Sequence, residues 1–124
     1  MKALAAFAVA ACLANASPSL AQPSRLPKSA EILRSTAIAE RNQLGLLEYC
    51  NHAGHISAEA VTRQRNIVAA LPPSPSTAHA TEDGQNGLIA FEESRITLAA
   101  DAAGQGISVA YSCFQLALRV MGAP

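Results

Sequence analysis

Apolar and polar positions alternate along this chain with helical spacing, interrupted by proline and glycine. Ile32, Thr36, Ala39, Gln43, Leu47 and Cys50 follow steps of three and four residues, with Leu33, Ala37, Leu44 and Leu46 widening the stripe. This predicts a long helix with Cys50 turned inward. Ser29 is placed as its N-cap, so the helix is expected to start at Ala30, with Glu31 near its positive end. Gly54 is expected to end it in a left-handed conformation that other residues resist. A second helix follows from Ala58, with Ser57 as cap and Ile56 and Val61 as a hydrophobic staple across it. Val61, Ile67, Val68 and Leu71 form its expected inner face, Arg63, Gln64 and Arg65 its outer one, and Pro72-Pro73 stops it.

Residues 72–81 have too little apolar content to pack and read as a linker. A third helix is expected from Glu82, capped by Thr81, with Leu88, Phe91, Leu98 and Ala102 on one face and Ile89 and Ile96 beside it. Gly84 and Gly87 would weaken its start by ~1 kcal/mol each relative to alanine. Gly104-Gln105-Gly106 ends it, and a fourth helix runs from Ile107 to Met121, repeating the glycine, apolar residue, serine order of the Gly54 to Ser57 boundary. This last helix is apolar almost all round, broken mainly by Ser108, Ser112, Gln115 and Arg119. It is expected at the centre of the core. If it leaves the core, Val109, Phe114, Leu116, Leu118 and Val120 are the side chains it offers to a membrane or a partner.

The fold class implied is all-α: a small four-helix bundle made of two helical hairpins, 30–71 and 82–121, joined by the linker and stapled by one disulfide. The domain spans 30–124, after an extended lead-in at 22–29 that contains Pro23 and Pro27.

The amino end changes the picture most. Met1-Lys2 is a basic start, Ala3 to Leu13 is continuously apolar, and Ser19-Leu20-Ala21 has the small-x-small pattern of a signal-peptidase site. The apolar run is far short of the ~20 residues of a spanning helix. Cleavage after Ala21 is therefore expected, with a periplasmic or secreted mature chain. A competing pattern, Val9-Ala10-Ala11-Cys12, would make Cys12 a lipid-bearing terminus, but the run before it is very short. Export leaves about 103 residues, a domain small enough to gain from a covalent staple. The remaining cysteines, Cys50 and Cys113, admit one intramolecular disulfide.

Charge excludes one class. Lys and Arg number 9 and Asp and Glu number 9, with no basic stripe, so a nucleic-acid partner is not expected. The first half carries the basic excess and the second the acidic one, which reads as two ordinary solvated faces.

Candidate chemistry is sparse. Glu48, Cys50, His52 and His55 group possible ligands, yet Cys50 and His52 point to different sides of a helix and an oxidising compartment consumes the thiolate. No metal or other cofactor is expected, with Glu48, His52 and His55 the residues to inspect if one binds. Glu48 can instead pair with His52 one turn on. A Cys-His nucleophile requires a free thiol. The adjacent Glu92 and Glu93 diverge on a helix, and His79 stands alone in the linker. No catalytic residue is assigned, and a non-enzyme is expected. Tyr49 and Tyr111 are expected to pack over the disulfide.

At Arg34-Ser35-Thr36, at Glu40-Arg41-Asn42-Gln43-Leu44-Gly45-Leu46-Leu47-Glu48-Tyr49-Cys50, and at the late glycine-rich turn followed by Cys113, the chain resembles a group of small exported Gram-negative proteins. They are often catalogued as pore-forming proteins of the early-secreted-antigen type. Their Trp-x-Gly turn has no counterpart here, since the chain has no tryptophan. The resemblance implies a small exported helical protein without catalytic residues. Three functional classes follow: a binding or stress-protective module of unknown ligand, a membrane-active or pore-forming protein, and a metal- or redox-linked periplasmic protein. The partner is a protein or a membrane, with a homodimer among the options.

Overall fold

The computed structural model describes residues 28–74, 77–91 and 93–122, and the side chains of 28–32 are not described. The expected signal segment, Cys12 and most of the lead-in lie outside these residues. Five helices and one two-stranded antiparallel sheet follow in the order α1 (Lys28–His52), α2 (Ala58–Ala69), α3 (Ala80–Gln85), β1 (Leu88–Ala90), β2 (Arg95–Thr97), α4 (Leu98–Gln105), α5 (Val109–Met121). The chain is mostly helical and carries one disulfide, as expected, but the sheet departs from a pure four-helix bundle.

Local chemistry explains the ends that agree with expectation. Gly54 is left-handed at φ 81°, and the His55 N–H returns to the Cys50 carbonyl at 2.9 Å. Gly106 closes α4 at φ 71°, and the Ser108 hydroxyl opens α5 by accepting from the Tyr111 N–H at 3.0 Å. Ser57 precedes α2 in extended geometry, though its side chain makes no capping bond. Val61 is buried and Ile56 packs against the same core cluster. At the amino end α1 already starts at Lys28, so Ser29 lies inside its first turn and is not the cap.

The expected third helix becomes a helix, a hairpin and another helix. Gly87 needs a left-handed φ of 77°, which breaks the helix after one and a half turns, and Ile89, Ile96 and Thr97 then favour extended pairing. The register sets Leu88 against Thr97, Ile89 against Ile96 and Ala90 against Arg95. Thr81 does not cap α3, whose N-cap is His79 without a side-chain bond. Thr97 instead caps α4, accepting from the Ala100 N–H at 3.0 Å.

α1, and not α5, is the central helix. Leu44, Leu46, Leu47 and Cys50 join Ala60, Val61, Leu98, Cys113 and Leu116 in one buried cluster. α3 crosses α1 with backbone against backbone. A methyl on Gly45 would collide with the Thr81 carbonyl and lie 2.7 Å from the Gln85 nitrogen, and one on Gly84 would lie 2.6 Å from the Leu46 nitrogen. Gly84 is thus a packing residue, not merely a weak helix former.

Two buried amides tie the elements together. Asn42 Nδ2 donates to the Ala80 carbonyl at 3.1 Å and the Leu88 carbonyl at 2.8 Å, and its Oδ1 accepts from the Ala90 N–H at 3.1 Å. Gln64, expected outside, has 0 % exposure: its Nε2 donates to the Glu40 carbonyl at 2.9 Å and carboxylate at 2.6 Å, and its Oε1 accepts from Gln43 Nε2 at 3.1 Å. Ile67, expected inside, is 44 % exposed, because α2 packs through Ala60, Val61 and Gln64.

Candidate functional site

The disulfide between Cys50 and Cys113 joins α1 to α5 with their Cα atoms 5.7 Å apart, and both cysteines have 0 % exposure. Neither sulfur is a nucleophile or metal ligand while that bond stands. Tyr49 packs against this core and against Gly87. Tyr111 does not share that position; it is 50 % exposed and its ring lies tilted beside that of Phe114 with centroids 6.1 Å apart.

Glu48 and His52 line an open cleft of about 360 Å³ with Tyr49, Asn51, Val61, Arg65 and Gln85. Glu48 accepts from Gln85 Nε2 at 3.2 Å, and it forms no ion pair with His52 among the described residues. His55 does not line the cleft. Among the described residues no three His, Cys, Asp or Glu side chains are placed to hold a metal. His79, in the former linker, is exposed beside Glu82 at 3.7 Å.

A second site lies between α1, the hairpin, α4 and α5. One hollow of about 260 Å³ has Leu46, Ile89, Leu98 and Leu116 among its apolar walls. It shares Ala39, Ala90 and Phe91 with a hollow of about 470 Å³ that continues along Ser35, Ile38, Glu93 and Ser94. The two form one groove. Its polar groups come from several elements: Asn42 and Gln43 on α1, Asp101 and Gln105 on α4, linked by a 2.7 Å hydrogen bond, and Ser112, Gln115 and Arg119 on α5, with Ser35, Glu93 and Ser94 along the second hollow. Among the described residues the Ser112, Gln115 and Arg119 side chains have no hydrogen-bond or ion-pair partner.

This placement sorts the five α5 residues offered as a contact face. Leu116 is buried in the core, and Val109 and Val120 pack partly buried against it. Only Phe114 and Leu118 stand out, at 50 % and 48 % exposure, joined by Tyr111. The helix is therefore inverted: its polar stripe lines the groove while its outer face is apolar. The stripe was visible in the sequence as Ser108, Ser112, Gln115 and Arg119 at steps of four, three and four, but nothing in the chain alone turns it toward α4. Asn42, which positions β1 at the groove, carried no comparable signal. Among the described residues no helix is long and apolar enough to cross a membrane.

Searches of protein-family models, of curated proteins and of solved structures find no match for this chain.

Proposed function

We propose that this is an exported, non-catalytic binding protein whose groove takes a small amphiphile with an apolar body and an anionic head. The observation that carries the reading is the unpartnered stripe of Ser112, Gln115 and Arg119 on a groove floored by Leu46, Leu98 and Leu116. The floor favours an aliphatic body, and the guanidinium with the Ser112 hydroxyl and Gln115 amide supplies donors for a carboxylate. Asp101 on the facing wall accepts from Gln105 and repels an anion, so the anionic head belongs at the α5 wall beside Arg119.

Titration calorimetry with decanoate, decanol and decyltrimethylammonium tests this. Decanoate should bind most tightly, and Arg119→Gln should weaken it by roughly tenfold while leaving decanol unchanged. Equal affinity for all three, or none up to millimolar concentration, overturns the reading.

A second reading, membrane activity, is favoured by the half-exposed Tyr111, Phe114 and Leu118 and accords with the resemblance to pore-forming proteins. It requires α5 to leave the core, which the Cys50–Cys113 bond opposes. Dye release from lipid vesicles should then rise on reduction. No release in either redox state discards it.

A further inference from the structure

We propose that the cleft between α1, α2 and the end of α3 is a binding site in its own right, and that it takes a small zwitterion of the amino-acid class. No residue that lines it also lines the groove. Its volume of about 360 Å³ lies near the lower end of the ~300–1,000 Å³ of small-molecule pockets, so the occupant has few heavy atoms.

The two main walls carry opposite charges. Glu48 and His52, four residues apart, lie on one side of α1, and Val61 and Arg65, four residues apart, lie on one side of α2. Glu48 is half-buried and held in place: its Oε2 accepts from Gln85 Nε2 at 3.2 Å, and among the described residues its Oε1 has no donor. α1 ends at His52, so the negative pole of that helix lies at this wall and adds to the pull of Glu48 on a cation. Arg65 is exposed, and among the described residues it has no hydrogen-bond or ion-pair partner. The two opposite charges thus share one cleft without pairing with each other.

That arrangement selects the ligand. A simple anion drawn to Arg65 would meet Glu48, and a simple cation drawn to Glu48 would meet Arg65. A molecule with both an ammonium and a carboxylate satisfies both walls, the ammonium donating to Glu48 and the carboxylate accepting from the guanidinium fork. A metal ion fits poorly, since among the described residues no three His, Cys, Asp or Glu side chains are placed to hold one. Val61, the one aliphatic side chain in the lining, stands a turn from Arg65 and is only 4 % exposed. The ligand's own side chain is therefore short and aliphatic. Because Asn51, His52 and Arg65 are exposed, and exposed charge contacts are weak, the Kd is on the order of 1 mM.

Amide NMR titrations decide the matter, using valine, isovalerate, which lacks the ammonium, and isobutylamine, which lacks the carboxylate. Valine should shift the amides of Glu48, His52, Arg65 and Gln85 saturably, and bind roughly tenfold more tightly than either analogue. Glu48→Gln should bring valine down to the level of isovalerate, and Arg65→Gln should bring it down to the level of isobutylamine. The groove is read separately with decanoate, whose shifts at Ser112 and Arg119 neither variant should change. Valine that binds wild-type protein no more tightly than both analogues, or gives no saturable shift below about 50 mM, overturns the proposal without reference to any variant. So does valine binding that survives both substitutions undiminished. Inorganic phosphate that binds the cleft more tightly than valine overturns the zwitterion in favour of an anion.

Discussion

α1 and α5 meet at the disulfide, yet they treat polar and apolar groups in opposite ways. Beside α1 the buried amides of Asn42 and Gln64 have their bonds made on both ends, and glycines at 45 and 84 bring backbones into contact. On α5 the polar stripe opens onto a groove where, among the described residues, Ser112, Gln115 and Arg119 have no side-chain partner, and the outward face is apolar. A buried polar group left unpaired is costly, whereas a satisfied one fixes geometry. The α1 side is thus a stability element, and α5 is the helix on which the proposed function rests.

The most severe way to break this contrast is to separate the two helices. The disulfide spans 63 residues, so replacing Cys50 and Cys113 with alanine should remove about 4 kcal/mol of stability. Urea unfolding would show the loss as a lower midpoint. A smaller effect is expected within the α1–α3 crossing. Gly45→Ala should cost about 3 kcal/mol because its methyl meets rigid backbone, while Gly54→Ala, at a left-handed position with open space around it, should cost about 1 kcal/mol. Thermal melts of the two variants separate collision from backbone strain.

Next comes Asn42→Leu, which would leave the carbonyls of Ala80 and Leu88 and the N–H of Ala90 unpaired and should cost about 2 kcal/mol. Faster hydrogen exchange at Ala90 than in α1 is the local signature. The smallest effect sharpens the comparison most. Leu118→Ser should change stability by less than about 0.5 kcal/mol, whereas Leu116→Ala, from the buried face, should cost about 2 kcal/mol or more. If the two were equal in unfolding experiments, the outward face of α5 would be packed against something in the monomer and the inversion would be wrong.

Much of the helical frame was legible because its signals are local. Gly54, Gly106 and Ser108 act through conformation and hydrogen bonds within a few residues, and Cys50 and Cys113 allow one pairing. The hairpin was not legible, since Leu88, Phe91, Leu98 and Ala102 fit a helical stripe, while strands of three residues are too short to show a period of their own. What decided it was Gly87, whose left-handed turn lies against the Tyr49 ring, a contact between distant parts of the chain. Gln64 and Ile67 exchanged places for a similar reason. The partner of Gln64 is Glu40, 24 residues away, and no periodicity records that. The groove followed the same rule: its polar stripe was written in α5, and its direction was set only when Cys113 and Leu116 turned inward.

Asn42 has one more consequence. Its amide reads the Leu88 carbonyl and the Ala90 N–H, two alternate groups on the free edge of β1, much as a neighbouring strand would. Successive backbone groups in a strand face opposite edges, so a slip of the hairpin by one residue would present neither group to the amide. A single side chain on a helix therefore works as a gauge for a strand. It fixes where the hairpin stops along α1, and so where Phe91 stands at the mouth of the groove.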